Sequence, residues 1–448
     1  MTSHLSRRSL LAAAAAATSA TAQVTTKPTV TARTSTRTLG ANNRIQLGII
    51  GAGGMGGSHL RYLMRRANTG EKDCAVMAVC DVYEPRRERA RQIAGLLPKD
   101  SYNDYRELLA RDDLDAVFIA TPDHWHAQMS IDAMTAGLDV YLQKPMALTW
   151  REGRDIAAVA AQHRRVLQVG SQHASDIRHL EARTLIENGD IGTPVWAQGS
   201  SCRNSLYGEW NYGIDEDASP ENLDWQRWLG SAERRAFSKE RYFRWRKYWD
   251  YSGGIATDLF YHTLAPLMAD LLPGFPTRVM TAGGIYVHKD REVPDTTSTL
   301  VEFPHLLINL AGSMANQRGG QYHRTVIHGH KGSIVFDAEA IRLYAEPVYS
   351  PHDTETTRVR ILPTPVVDLH ALHITNFFES MRARTEPHLG AQLGYQVMTA
   401  IHLSVESYRT GRMMHFDPAK QEIVDQAPAR PSFEGSGENL PREPRIRN

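Results

Sequence analysis

The chain has 448 residues, which is enough for two domains of ordinary size, each with its own hydrophobic core. A formal net charge of +1, with 23% charged residues, gives no electrostatic argument for binding nucleic acid or an anionic membrane. The three cysteines match no zinc or disulfide pattern, so we expect no metal site, and we expect Cys74 and Cys80 to pack as small apolar groups near a strand.

The N-terminus has the pattern of an export signal. Arg7 and Arg8 precede an alanine-rich run that ends in a small-residue cleavage site at Ala22. The arginine pair predicts a twin-arginine signal peptide over residues 1–22, with an ordinary secretory signal or a basic tail as the alternatives. Residues 23–43 have the composition of a disordered spacer. We therefore expect an exported protein, periplasmic or extracytoplasmic, without a membrane anchor.

From Arg44 onward, β-branched runs alternate with stretches of helical pattern. Strands that alternate with helices of this length indicate βαβ units and a parallel sheet. The sequence therefore predicts an α/β fold that begins with a doubly wound, dinucleotide-binding domain over residues 44–168. The strand-like runs are "RIQLGII", "CAVMAVCD", "DAVFIATP", "LDVYLQKP" and "RVLQVGS".

The pattern changes after residue 168. A helix near 176–188 and a strand at 195–201 lead into an irregular stretch at 203–251 that is rich in Trp, Tyr and Arg. Serial strand-like runs without helices between them then predict a large, mostly antiparallel open sheet. These runs lie at 277–287, 296–303, 305–313, 323–329 and 333–337. Two late helices, near 370–383 and 388–411, are expected to pack across the domains, so the second α/β domain is placed at 169–415 and a C-terminal tail at 416–448.

A glycine motif follows the first strand. Gly51, Gly53 and Gly56 have the G-x-G-x-x-G spacing, with a strand before them and a helix after them. Gly51 permits the tight turn, Gly53 lets the backbone approach a pyrophosphate, and Gly56 lets the helix pack closely. The N–H groups at the start of that helix, at Gly54 and Met55, are free to bind phosphate. This context favours a dinucleotide site.

An acidic residue ends the next strand. Asp81 stands about 25 residues after Gly56, near the spacing of an acid that binds the adenosine ribose. A carboxylate there favours NAD, because it repels the 2′-phosphate of NADP. Arg86 and Arg87 follow closely and leave NADP open as the alternative.

The loop "ATPDHWHA" comes at the end of the third strand-like run, "DAVFIATP". We expect Thr121 and Pro122 to line the cofactor site, with His126 at the start of the following helix. His124 and His126 have a spacing that a metal ion could use, but the sequence places no third ligand near them.

Four stretches together resemble the Gfo/Idh/MocA family of sugar and polyol oxidoreductases. They are "GIIGAGGMG", "IATPDHWH", "AGLDVYLQKPMAL" and "GGIATDLFYH", in the order and spacing of that family, and the resemblance covers most of residues 44–412. It implies a nicotinamide-binding Rossmann domain, then an α/β domain with an open sheet, and the substrate between them. It also implies a homo-oligomer, dimer or tetramer, often paired through that sheet. The stretches "DWQRWLG" and "EVPDTT" are similar to exported, twin-arginine members of the family.

The resemblance implies roles for several residues. Gln143-Lys144-Pro145 is similar to the Glu-Lys-Pro motif of the family, in which the lysine contacts the reacting hydroxyl and the nicotinamide ribose. Asp258 and His262 match the Asp-x-x-x-His motif, and their spacing places both on one helix face. Gln143 departs from the usual glutamate, and we expect the lost charge to make the ammonium form of Lys144 less favoured.

The expected mechanism is the oxidation of a secondary alcohol. His262 is the predicted base, Lys144 orients the hydroxyl and stabilises alkoxide charge, and Asp258 holds the substrate or orients the site. An ordinary helix pair at a domain contact is the alternative for Asp258 and His262. Residues expected to contact a sugar are Arg203, Trp245, Arg246 and Tyr251.

Export limits the supply of free NAD, so we expect a tightly bound cofactor that is regenerated within each cycle.

The primary expectation is a dehydrogenase-type oxidoreductase acting on a sugar, a polyol or a sugar derivative. The alternative is a redox-neutral glycosidase or lyase that oxidises a hydroxyl, eliminates the neighbouring group and reduces the product again. Lys144 favours the dehydrogenase, because the glycosidase relatives lack this lysine. A non-catalytic sugar-binding protein is the third possibility, and the intact motifs argue against it.

Overall fold

The computed structural model describes residues 44–426. The predicted signal peptide, the predicted spacer and residues 427–448 of the predicted tail lie outside the described residues. Within residues 44–426, no helix combines the length and the apolar character that a membrane crossing requires.

The first domain is built on six parallel strands. Its central strands are mostly apolar and almost entirely buried on both faces, as expected for a parallel sheet covered by helices. Its elements are β1 (Ile45–Ile50), α1 (Gly54–Asn68), β2 (Cys74–Cys80), α2 (Glu84–Ala94), β3 (Ser101–Tyr102), α3 (Tyr105–Leu109), β4 (Ala116–Ile119), α4 (Asp123–Thr135), β5 (Asp139–Leu142), α5 (Trp150–His163) and β6 (Leu167–Val169). The strand order β3-β2-β1-β4-β5-β6 is that of a Rossmann fold. This confirms the predicted doubly wound parallel sheet.

The second domain contains a ten-stranded sheet in the order β14-β13-β12-β11-β7-β10-β9-β8-β15-β16. Its strands are β7 (Pro194–Cys202), β8 (Arg278–Gly284), β9 (Thr296–Glu302), β10 (Leu307–Ser313), β11 (Val326–Gly329), β12 (Gly332–Phe336), β13 (Ala340–Ala345), β14 (Val359–Pro363), β15 (Met414–Asp417) and β16 (Glu422–Val424). Neighbouring strands are antiparallel except for β7 and β10, which are parallel. The predicted open, mostly antiparallel sheet is confirmed.

The helices of this domain are α6 (Ile177–Glu187), α7 (Trp225–Leu229), α8 (Lys239–Phe243), α9 (Tyr261–Leu271), α10 (Gly319–Tyr322), α11 (Leu369–Ala383) and α12 (Ala391–Thr410). A π-helical turn, Ala256–Phe260, leads directly into α9. Helices α9 and α12 cover one face of the sheet. The other face exposes large apolar side chains, namely Trp196, Met280, Leu300, Tyr344 and Ile361.

Helix α11 returns to the first domain, as expected for a late helix that packs across the domains. Phe377 is fully buried and packs edge-on against Phe118 and Tyr141 of the parallel sheet. Ile374 belongs to the same core as Leu47. The second half of the chain therefore completes the hydrophobic core of the first domain.

Two details of the second domain differ from the sequence expectation. Strands β13 and β14 were not predicted, because their half-exposed residues mix charged and apolar types without clear alternation. The expected tail boundary at 416 falls inside β15, and β16 extends the sheet beyond it.

Candidate active site

The turn after β1 has the geometry that the glycine pattern predicts. Gly51 has a φ of +86°, and a Cβ atom there would lie 2.7 Å from the carbonyl oxygen of Ala120. A Cβ atom on Gly56 would lie 1.8 Å from the carbonyl oxygen of Gly51, so only glycine lets α1 pack this closely. Gly54 has no neighbour within 4 Å of its Cβ position. The turn therefore leaves room beside the first backbone N–H groups of α1, where a diphosphate fits.

Asp81 follows β2 at the edge of this turn. Its carboxylate accepts hydrogen bonds from the backbone N–H groups of Ala52 (2.7 Å) and Tyr83 (2.9 Å). The guanidinium of Arg87 donates to the backbone carbonyl oxygen of Asp81 and to the side chain of Asn103, and not to the Asp81 carboxylate. A fixed carboxylate at this place suits the ribose hydroxyls of NAD.

Arg86 lies among aromatic rings at the same edge. Its guanidinium carbon is 5.7 Å, 5.2 Å and 5.0 Å from the ring centres of Tyr83, Tyr242 and Phe243, respectively. The guanidinium also lies 3.2 Å from the Cβ position of Gly53. The glycine turn, Asp81 and this cationic aromatic wall together fit a dinucleotide.

Lys144 forms a buried ion pair with Asp258 across the two domains. It follows β5, and its peptide bond to Pro145 is cis. Its Nζ atom donates to Asp258 Oδ1 at 2.8 Å and to the backbone carbonyl oxygen of Asp258 at 2.7 Å. Because both side chains are nearly inaccessible to water, each charge depends on the other.

Asp258 is held by two further side chains. Arg246 Nε donates to Oδ1 at 3.1 Å, and Trp210 Nε1 donates to Oδ2 at 2.8 Å. Burial works against the charged form, but Lys144 and Arg246 nevertheless hold the pKa of Asp258 well below its usual range. Asp258 is therefore a fixed anion and does not exchange protons at neutral pH.

His262 lies one turn after Asp258, at the start of α9. The π-helical turn carries Asp258 and the following α-helix carries His262, so the predicted pair shares one cleft although the helix is not regular. Burial and the charge of Lys144 lower the pKa of His262 well below its usual range, so the imidazole is neutral at neutral pH. Among the residues that the structure describes, its Nδ1 atom has no hydrogen-bond partner.

The side-chain amide of Gln143 hydrogen-bonds with His59. Its Nε2 atom lies 2.6 Å from Nε2 of His59 in α1, and Nδ1 of His59 lies 2.7 Å from Nε2 of His370 in α11. Burial lowers the pKa of His59 well below its usual range, so this chain of side chains is uncharged. The anion paired with Lys144 is Asp258, which lies in the second domain.

These groups line one cleft of about 520 Å³ between the domains. Most of the residues predicted to form the site belong to its wall. They are Gly51, Gly53, Gly54, Met55, Asp81, Thr121, Pro122, Gln143, Lys144, Arg203, Trp245, Arg246, Asp258 and His262.

Three predicted residues lie outside the cleft wall. Gly56 acts through helix packing. His126 holds two loops together, with Nδ1 2.6 Å from the carbonyl oxygen of Pro145 and Nε2 2.9 Å from that of Thr121. Tyr251 is fully buried in an aromatic cluster and does not reach a substrate. Cofactor contact by His126 and sugar contact by Tyr251 are therefore wrong.

Sequence reasoning missed Asp123, the first residue of α4. Asp123 lines the cleft, is 3% exposed, and its Oδ2 atom has no hydrogen-bond partner within residues 44–426. Burial raises the pKa of Asp123 to about 7, although Arg246 and Lys144 oppose that rise. The sequence feature that could have identified Asp123 is its position directly after Pro122 in the loop "ATPDHWHA".

Metal binding is not supported at the histidine pair of this loop. His124 Nε2 lies 3.0 Å from the carbonyl oxygen of Trp228, and both ring nitrogens of His126 contact carbonyl oxygens. Across the described range, no group of three His, Cys, Asp or Glu side chains is placed to hold a metal ion.

Comparison with known proteins gives two family matches. Residues 45–171 match the Gfo/Idh/MocA "Oxidoreductase family, NAD-binding Rossmann fold", and residues 183–416 match the C-terminal alpha/beta domain of the same family. An inositol 2-dehydrogenase from Salmonella paratyphi B is 33% identical over 156 residues, which are 35% of this chain and 45% of that protein. An inositol 2-dehydrogenase from Klebsiella pneumoniae is 31% identical over 197 residues, 43% of this chain and 56% of that protein. The chain thus spans about half the length of these curated relatives.

Solved structures share the fold at low sequence identity. A levoglucosan dehydrogenase in complex with NADH and levoglucosan has a TM-score of 0.64 and 18% identity, covering 86% of this chain and 100% of that one. An aldose-aldose oxidoreductase from Caulobacter crescentus, complexed with glycerol, has a TM-score of 0.62 and 17% identity, covering 84% of this chain and 100% of that one.

The buried ion pair yields a stability prediction. Replacing Asp258 by Asn leaves Lys144 and Arg246 without their anion, so the free energy of unfolding should fall by about 3–5 kcal/mol. Asp190→Asn, which removes a surface pair with Arg360, is the matched control and should change it by about 0–1 kcal/mol. Urea unfolding followed by circular dichroism measures both. Equal, small effects of the two substitutions would contradict the assignment.

Proposed function

Because the chain belongs to the Gfo/Idh/MocA oxidoreductase family, with both of its domains matched, we propose that it oxidises a secondary hydroxyl of a sugar, polyol or sugar derivative with NAD. One observation carries the proposal. The Lys144–Asp258 pair and the neutral His262 lie in the same cleft as the dinucleotide turn at Gly51.

The nicotinamide group, when bound, accepts the hydride from the substrate carbon. The side chains of this protein bind the substrate oxygen and accept the hydroxyl proton. Lys144 has one N–H beyond its two bonds to Asp258, and it donates to the substrate oxygen and stabilises negative charge there. His262 is neutral, and its Nδ1 atom, which has no hydrogen-bond partner within residues 44–426, accepts the hydroxyl proton. Asp258 holds the lysine in place and does not act as the base.

The contacts of one segment support a tightly held cofactor. Residues 203–251, here called the cover segment, cross the end of β2. Leu223 pairs with Tyr83, and Asp224 N–H donates to the Val82 carbonyl oxygen at 3.0 Å. Trp228 of the same segment lines the adenosine end of the cleft, and Arg246 lines the reaction end. Release of a bound dinucleotide therefore requires this segment to move.

The wider expectations also remain proposals. We propose export through the twin-arginine machinery from the arginine pair before Ala22, which the N-terminal sequence of the mature protein would test. We propose a homo-oligomer paired through the open sheet, because Trp196, Met280 and Leu300 are exposed on its outer face. Sedimentation of the purified protein would test that pairing.

Lys144→Met tests the catalytic role. It removes the donor to the substrate oxygen, so turnover should fall by about 100-fold or more. Nucleotide content should remain, because the dinucleotide turn is untouched. The assay extracts and identifies the nucleotide of purified protein, then measures nicotinamide reduction with myo-inositol, levoglucosan and D-glucose. Lys99→Met, an exposed position, is the control. Normal turnover in Lys144→Met would contradict the proposal.

Cofactor retention has its own test. Trp225 stacks on Trp228 at 4.8 Å and lies outside the cleft wall, so Trp225→Ala loosens the cover segment without removing a cofactor contact. Nucleotide release, measured by exchange against labelled NAD, should accelerate by about tenfold or more, which corresponds to about 1.4 kcal/mol. Tyr207→Ala, at an 82% exposed position of the same segment, should leave the release rate unchanged. Rapid release from the unmodified protein would refute tight binding.

A further inference from the structure

The cleft contains one carboxyl group that the proposed oxidation does not use. Asp123 is buried beside the catalytic lysine, and its Oδ2 atom has no hydrogen-bond partner in the described part of the chain. A buried carboxyl oxygen without a partner is costly, and such groups concentrate at functional sites. A substrate atom or a transferable proton would complete its hydrogen bonding.

The cationic side chains near Asp123 donate hydrogen bonds to another carboxylate. Arg246, Lys144 and Asp258 act on it electrostatically, and the Ser252 hydroxyl also faces it. The side-chain hydrogen bonds from Lys144 Nζ and Arg246 Nε go to Asp258 and not to Asp123. Asp258 is thus a fixed anion, whereas burial raises the pKa of Asp123 to about 7, so Asp123 exchanges its proton near neutral pH.

Oxidation of a secondary hydroxyl requires one base, which His262 supplies. The product carries a carbonyl oxygen next to the ammonium of Lys144, and a cation at that oxygen makes the hydrogen on the adjacent carbon acidic. We propose that Asp123 is a second proton-transfer residue, which removes and returns the proton on the carbon adjacent to the newly formed carbonyl group; this inference rests on the proposed function.

The step is balanced within the substrate. The electron pair of the C–H bond forms a carbon–carbon double bond while the carbonyl π pair moves onto oxygen, giving an enolate that Lys144 stabilises. Asp123 carries the proton until it returns to the same carbon. No electron leaves the substrate, so the step needs no further oxidant.

Isotope exchange in deuterium oxide tests the assignment. The full-length protein with its bound nucleotide is incubated with myo-inositol, levoglucosan or D-glucose, and magnetic resonance locates deuterium in the recovered sugar. The unmodified protein should place deuterium on the carbon next to the oxidised one. In Asp123→Asn, the ratio of this exchange to nicotinamide reduction should fall by about 100-fold. Exchange in the unmodified protein should rise with pH through about 7, because the carboxylate form is the base.

Two variants control the result. Asp132→Asn makes the same substitution on the same helix, and it should keep the exchange because Asp132 itself is not part of the cleft wall. Asp132 accepts from Gln128 and from Tyr105, of which only Tyr105 lines the cleft. Asp123→Glu restores a carboxylate and should recover part of it. Nicotinamide reduction without deuterium on the adjacent carbon would overturn this inference alone, as would full exchange in a folded Asp123→Asn protein. No nicotinamide reduction with any probe would overturn the proposed function, and this inference with it.

Discussion

The buried ion pair between Lys144 and Asp258 is the constraint on which the arrangement of the cleft depends. Each charge has been withdrawn from water, and each would be costly without the other. Lys144 belongs to the parallel-sheet domain and Asp258 to the second domain, so separating the domains would leave Lys144 without its anion and Asp258 with Arg246 as its ion-pair partner. Arg246 and Trp210 occupy the rest of the Asp258 carboxylate and fix its orientation. Because His262 follows one turn later, the same pair also sets the distance between the predicted base and the substrate oxygen.

Burial of the side chains around the cleft strengthens these electrostatic effects. Trp228, Tyr242 and Phe243 cover the dinucleotide end, and they belong to an aromatic cluster that the cover segment shares with Tyr83. Burial lowers the pKa of His262, and the charge of Lys144 lowers it further although no hydrogen bond joins the two side chains. A proton on His262 is therefore unstable beside the ammonium. That instability favours rapid transfer of the proton onward and keeps the imidazole ready for the next substrate.

Sequence reasoning identified those site residues whose role follows from local patterns. Gly51 and Gly53 stand between a strand and a helix, and Lys144 interrupts an apolar strand at the end where parallel sheets bind ligands. Tyr251 was assigned wrongly because an aromatic residue has the same appearance in sequence whether it lines a sugar site or a core. Asp123 was missed because a carboxylate at a helix start is usually an exposed cap. Its burial results from the second domain, and no local pattern encodes that contact.

The neutral side chain of Gln143 affects the net charge of the cleft. Lys144 and Arg246 are two cations that share one fixed anion, Asp258, while His262 is neutral. With Asp123 protonated, the cleft therefore carries a net positive charge, which stabilises the negative charge that develops on a substrate oxygen. A glutamate at position 143 would offset part of that charge and would place an anion against the buried His59. The neutral amide of Gln143 preserves the net positive charge of the cleft. Its hydrogen-bond partner, His59, is uncharged and is itself held by His370.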